Sequence, residues 1–215
     1  AQNVSYLVLF LLTIATLVAC QEEPVKPLPI LGNYDLSYRT KDGKQIIDTI
    51  YQTIPDFQFY NEDSILVNKA SFKNKVWISE FFFATCPSIC PIMNTQLKNV
   101  EKALKSYSKD LQFLSFTIDP THDTQAVLQD YADKLGVPDA ATWNFLTGDQ
   151  EKIFEIGQTS YLTTAMADDL EPGGFLHSGA FVLVDQQGRI RGVYDGTKSE
   201  QVDRLLADIP KLLNP

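Results

Sequence analysis

The apolar positions of this chain change rhythm several times, and each change marks an element. Val4 to Ala19 (VSYLVLFLLTIATLVA) is a nearly unbroken apolar run. Residues 21–33 (QEEPVKPLPILGN) hold three prolines and neither a helical nor a strand period, which describes a tether. Between residues 34 and 60, short apolar stretches (Ile46, Ile47, Ile50, Tyr51, then Phe57 and Phe59) are broken by Asp42-Gly43 and Pro55. That pattern predicts a hairpin or short strands near a domain edge. Val76 to Phe83 (VWISEFFF) is apolar at nearly every position and rich in β-branched and aromatic residues, as a strand buried on both faces requires. Met93, Leu97, Val100, Leu104 and Tyr107 then recur at gaps of four and three, predicting an amphipathic helix.

Leu111 to Ile118 reads as a second strand, and Thr124 to Leu135 as a helix closed by Gly136. A short third strand at 143–148 and a helix at 149–158 follow. Residues 159–176 show no period and contain Glu171-Pro172-Gly173-Gly174, so an irregular segment is expected there. Ala180 to Asp185 and Ile190 to Tyr194 flank the turn Gln186-Gln187-Gly188 and predict a β-hairpin. Ser199 to Leu213 reads as a final helix. Parallel βαβ units, then an antiparallel hairpin and a last helix, predict an α/β fold: a mixed central sheet with helices on both faces.

The 215 residues carry 18 Lys+Arg against 27 Asp+Glu, a formal net charge of -9. An acidic balance argues against nucleic acid as a partner, because phosphate binding needs a basic face. With 3 Cys and 2 His, any metal site must be small.

The apolar run at 4–19 is shorter than the roughly 20 residues of a bilayer-spanning helix and suits the core of a signal peptide. It ends in Leu17-Val18-Ala19-Cys20, then the polar Gln21-Glu22-Glu23. Small residues just before a cysteine resemble the bacterial lipoprotein cleavage box, which implies that Cys20 becomes the lipidated first residue. The expected organisation is therefore a lipoprotein-type signal peptide at 1–19, a tether at 20–33 and one domain at 34–215. No Lys or Arg precedes the run, and a plain membrane anchor is the competing reading. Either way the domain is expected outside the cytoplasm, on the periplasmic side, tethered to a membrane.

Outside the cytoplasm thiols tend to oxidise. Cys86 and Cys90 lie where the first central strand gives way to a helix, at the i, i+4 spacing that stacks both sulfurs on one side of a turn. Helix N-termini stabilise thiolates, the form that binds soft metals and attacks disulfides. A structural disulfide, a dithiol redox centre and a pair of metal ligands all remain open. The element order with this pair at the first strand-to-helix junction is the thioredoxin-like arrangement. Thioredoxin-like reductases space their cysteines by two residues, and three stand here; the wider loop leaves room for an ion. Two thiolates and an imidazole suit Cu(I), a soft ion. His177 supplies a candidate imidazole, in the loop that faces the cysteine turn in such a fold. Thioredoxins place a cis-proline there, and residues 174–180 contain none.

TCPSICP after an aromatic strand, TIDPTHDT after the next, WNFLTG, and LHSGAFVLVDQQGRIRGVYDG occur in that order. Together, over roughly residues 55–210, they resemble the Sco (SenC) copper chaperones, which assist assembly of the binuclear copper site of cytochrome c oxidase. The resemblance implies one copper ion, Cu(I) foremost with Cu(II) as a second state, held by Cys86, Cys90 and His177. It implies the copper-site subunit of the oxidase as recipient, with another copper chaperone as a candidate donor. The family usually has an acidic residue where this chain has Ser88, a departure that bears on thiol pKa rather than on the ligand set. The family is commonly anchored by a transmembrane helix, of which a lipid on Cys20 would be a variant.

The remaining candidates read more plainly. His122 is expected to be solvated or to cap a turn, and Asp119 either to orient a ligand or to shape that turn. Met93 falls on the apolar helix face and belongs to the core, while Met166 is open. The main expectation is a carrier rather than an enzyme. Its rival is a thiol–disulfide oxidoreductase that keeps the oxidase's copper-ligand cysteines reduced and needs Cys86 and Cys90 but not His177. Peroxide sensing, a third reading, has no further residue in its favour.

Overall fold

A computed structural model describes residues 26–137, 142–168 and 170–213 of the chain. The apolar run, Cys20 and the first part of the tether lie outside the described residues, and with them the signal-peptide and lipidation expectations.

The chain opens with a hairpin, β1 (Tyr34–Lys41) and β2 (Lys44–Tyr51), turned by Asp42 and Gly43, both at positive φ. A second antiparallel pair follows, β3 (Gln58–Tyr60) and β4 (Leu66–Asn68). Three strand–helix units come next: β5 (Val76–Phe82) with α1 (Cys90–Ala103), β6 (Leu111–Thr117) with α2 (Gln125–Leu135), and β7 (Trp143–Leu146) with α3 (Gln150–Thr159). A small pair, β8 (Ala165–Ala167) and β9 (Phe175–His177), precedes the hairpin β10 (Ala180–Val184) and β11 (Ile190–Asp195). Two helices, α4 (Ser199–Asp208) and α5 (Pro210–Leu213), complete the described chain.

The central sheet has the order β11-β10-β5-β6-β7. β5, β6 and β7 are parallel, and β10 is antiparallel to both β5 and β11. Every residue of β5 and β6 is buried, as their largely apolar patterns lead one to expect of strands covered on both faces. On one face Phe81 packs on Phe116, Tyr161 and the Gly157 backbone of α3, where a Cβ would come within 3.1 Å of the Phe81 ring. On the other face Phe82 packs on Tyr131 of α2 and on Phe145. α1 lies beside α2, with Asn94 donating to the Tyr131 hydroxyl and Lys98 to the Leu135 carbonyl. Helices thus cover both faces of a mixed sheet, the thioredoxin-like α/β architecture.

Some boundaries differ from the pattern. The helix after the cysteines begins at Cys90 itself, not at Met93, because polar residues and proline of its first turn carry no apolar period. The last helix breaks at Pro210, which has no N–H to continue the ladder. The largest difference is at 159–176. Met166 pairs with Leu176 and Ala165 with His177, so this segment holds an antiparallel pair rather than irregular chain only. Three residues per strand are too few to show a period of two. No helix among the described residues is long and apolar enough to cross a membrane.

Candidate metal centre

β5 ends at Phe82, and the chain turns at once, with the Cys86 N–H bonded to the Phe83 carbonyl. Asp123 holds this turn in place. It is wholly buried, and its Oδ2 accepts from the Ala84 N–H at 2.9 Å and from the Thr117 hydroxyl, tying the cysteine loop to the end of β6. Sequence reasoning missed Asp123, which stands just before the Thr124 N-cap and carries no sequence signal of its own.

α1 begins at Cys90 with Pro91 in its first turn, and no side chain caps it. The free N–H groups of Ser88 and Cys90 instead point at the Cys86 sulfur. Burial pushes the Cys86 thiol up, but the Cys90 side chain, those two N–H groups and the Ser88 hydroxyl together hold it below the ordinary thiol range. The Ser88 Oγ stands 3.7 Å from that sulfur. Cys86 therefore takes the acceptor role that Ser or Asp usually fills at a helix start. Cys90 lies deeper. Burial, the neighbouring Cys86 and the charge of Glu80 all push its thiol far up. One thiol ionises readily and its partner keeps its proton.

His177 closes the site from the end of β9. Its Nε2 lies 3.5 Å from the Cys90 sulfur and 3.9 Å from the Cys86 sulfur. Its Nδ1 faces the Ser178 carbonyl at 3.3 Å, an acceptor, which puts the proton on Nδ1 and leaves the Nε2 lone pair aimed at the sulfurs. Burial lowers its pKa, so the imidazole is neutral. Phe83 meets the ring edge-on at 5.8 Å and also packs on Phe175. Gly173 lies flat on Phe83, where a Cβ would come within 2.6 Å of the ring.

The three ligand atoms lie within 4.8 Å of one another, the one such group of His, Cys, Asp and Glu among the described residues. Cys86, Cys90 and His177 are only 7%, 2% and 9% exposed, and both cysteines are free thiols. The donors fit a soft metal ion: two sulfurs, one neutral nitrogen, little water. No cis peptide occurs among the described residues, so the thioredoxin cis-proline is absent and His177 stands in that region.

The other candidates stay apart from this group. His122 is exposed and bonds Asp119 through Nδ1 at 2.7 Å, and Asp119 accepts the His122 and Asp123 N–H groups through its carbonyl, a turn role for both. Met93 is fully buried in the core, and Met166 is exposed.

The fold is shared with a known group of proteins. Residues 48–214 match the SCO1/SenC family, and the chain belongs to it. Among solved structures, a SCO1/SenC family lipoprotein from Bacillus anthracis is 28% identical, with a TM-score of 0.69 over 75% of this chain and 95% of that one. BsSco, described as a Sco-family cytochrome c oxidase assembly protein with a disulfide switch, is 28% identical, with a TM-score of 0.66 over 76% and 95%. Yeast Sco1, solved with copper bound, is 25% identical, with a TM-score of 0.59 over 74% and 88%.

Proposed function

We propose that this chain is a membrane-tethered, extracytoplasmic metallochaperone that carries one copper ion on Cys86, Cys90 and His177 to the copper-site subunit of cytochrome c oxidase. The observation that carries this is the convergence of two buried thiols and a neutral imidazole nitrogen within 4.8 Å. The copper-bound yeast relative and the oxidase-assembly role of BsSco support the cargo and the recipient. The lipoprotein relative supports an anchor at Cys20.

Cys86, the more readily ionised of the two thiols, meets the ion first. Cys90 gives up its proton only as the metal takes its place, so loading releases a proton to solvent. The neutral His177 completes the set without a proton change. Delivery then proceeds by ligand exchange: a recipient thiolate replaces one of the three, and the ion passes without ever being free. The acidic surface speeds encounter with a basic recipient face more than it tightens the complex.

The split between a low Cys86 and a high Cys90 also suits an attacking and a resolving thiol, and that favours one second reading. The Cys86 thiolate attacks a partner disulfide, forming a mixed disulfide and expelling one partner thiolate. Cys90, losing its proton, displaces the other and closes a Cys86–Cys90 disulfide.

X-ray absorption with copper stoichiometry on the full chain, reduced and loaded without oxygen, tests the choice. One copper per chain with two sulfur neighbours and one nitrogen is the expected result. Absence of tight copper, with a readily cycling disulfide, would establish the oxidoreductase instead.

A further inference from the structure

We propose that the β1–β2 hairpin rests on the lipid surface that anchors the chain and turns the thiol cluster away from it. The proposal depends on the anchor at Cys20. The two strands pair along their whole length, from Tyr34 with Tyr51 to Lys41 with Lys44. Side chains alternate across such a ribbon, so Tyr34, Leu36, Tyr38, Ile47 and Tyr51 share one face. All five are open to solvent, at 61, 47, 59, 57 and 37%. The opposite face carries Asp35, Arg39, Lys41, Lys44 and Asp48 around Ile46 and Ile50, with Arg39 bridged to Asp48. A contiguous apolar face of this kind marks a contact surface.

Three observations point to lipid as the occupant. The first is reach. Leu31 pairs with Ile190, and the Arg191 guanidinium donates to the carbonyls of Leu28 and Pro29, so the tether is pinned to the domain from Leu28 onward. Residues 21–27 separate Cys20 from that pinned segment, and eight residue steps reach at most about 25–30 Å. The hairpin is the first element after that pinned segment.

The second is placement. The hairpin base is fixed by Gln52 N–H to the Asn33 carbonyl, Gln52 Nε2 to the Thr159 carbonyl and Ile54 N–H to the Gly188 carbonyl. Gly188 lies in the β10–β11 turn. Because Val184 of β10 pairs with Trp77 of β5, that turn is at the start of β5, whereas Cys86 and Cys90 follow its end. The length of β5, about 20 Å at 3.3 Å per residue, separates hairpin base from thiols.

The third is charge. The chain as a whole is acidic, yet within residues 34–51 Arg39, Lys41 and Lys44 balance Asp35, Asp42 and Asp48. A neutral ribbon bearing three tyrosines is the part of an acidic protein that a membrane surface admits, since tyrosine favours the interface.

The test places the full chain on vesicles of phosphatidylcholine and phosphatidylglycerol, with a protease site substituted into residues 21–27. A companion chain carries Ser at positions 34, 36, 38, 47 and 51. These side chains are exposed, and copper stoichiometry confirms that the companion folds. Both chains should float with vesicles before cleavage. After it, the released body with the native hairpin should partition to vesicles about tenfold more strongly than the companion. Equal release of both would overturn the hairpin contact and leave the lipid anchor standing. Failure of the uncut chain to float would remove the anchor reading and this proposal with it. A dimer abolished by the Ser substitutions, without lipid retention, would assign the face to a second copy and overturn the proposal.

Discussion

The two sides of the thiol–imidazole cluster are built to different standards. Cys86 and Cys90 stand at the junction of a strand buried along its whole length and a helix packed on two others. Asp123 staples the turn between them to the neighbouring strand. His177 ends a three-residue strand paired only to another three-residue strand, and Phe83, itself packed on Phe175, meets its ring edge-on. Local opening costs least where pairing is short and contacts are few. The thiols are therefore the fixed half of the site and the imidazole the half that can leave. In the proposed carrier, an imidazole on a separate element would open the set to a recipient without disturbing the core.

The sharpest way to break this comparison is to remove the imidazole. His177→Ala should weaken copper binding about a thousandfold, roughly 4 kcal/mol, beyond the hundredfold that loss of a ligand's outer hydrogen bond costs. The rate of Cys86–Cys90 exchange with a small disulfide should change little. Competition against a chelator of known affinity measures the first, and stopped-flow exchange the second. Unchanged copper affinity with collapsed exchange would show that the imidazole serves the thiols rather than the metal.

The same asymmetry decides what could be read from the amino-acid order. A buried parallel strand announces itself by an unbroken apolar run, and a helix by gaps of three and four, so β5, β6 and the helices on them were legible. So was the cysteine pair at their junction, since the boundary between two strong periodic signals is where it sits. Cys20 and the signal peptide were read from a local motif, and nothing in the described residues bears on them. β8 and β9 were not legible, because six residues in two pieces carry no period; their pairing is set by Gly173 and Gly174 at positive φ and by what packs on them. His177 was found through chemistry and family resemblance, not through its strand. Asp123 was invisible, since an aspartate after a turn looks like a cap until the Ala84 and Thr117 donors converge on it.

Beneath the fixed half lies a carboxyl that sharpens the comparison further. Glu80 is fully buried in β5; its Oε1 accepts from the Ser115 hydroxyl at 2.7 Å, and its Oε2 has no partner. Burial pushes its pKa up to about 7, the Ser115 bond opposing. The sign follows from proton counting. Between the unfolded value near 4.5 and about 7 the folded chain holds a proton that the unfolded chain has lost. That stability is present below 4.5 and is lost as pH rises through 7. Glu62, also raised to about 7 by burial, adds the same trend, so the variant must be compared with the parent at each pH. From pH 4 to pH 8, Glu80→Gln should gain about 2–3 kcal/mol relative to the parent, measured by urea unfolding. The amide's own unmet donor is the same at both pH values and cancels. An equal difference at pH 4 and pH 8 would mean that Glu80 does not titrate in this window.

The smallest expected effect tests the helix-start account of Cys86. Burial raises its thiol pKa, and the Cys90 side chain, two backbone N–H groups and the Ser88 hydroxyl, all neutral donors, lower it. Ser88→Asp would replace a donor by a negative charge a few ångströms from the sulfur. The thiolate should then be disfavoured, and the Cys86 pKa should rise by about half a unit to one unit, about 1 kcal/mol. A carboxylate just before the helix start also favours the helix, by roughly 0.5 kcal/mol, so the variant should unfold no more easily than the parent while its thiol grows less reactive. Thiolate absorbance against pH, read on the Cys90→Ser background so that one sulfur reports, separates the two effects. An unchanged pKa would show that the introduced carboxylate turns away from the sulfur and acts on the helix alone, and that the backbone N–H groups hold the thiolate without Ser88.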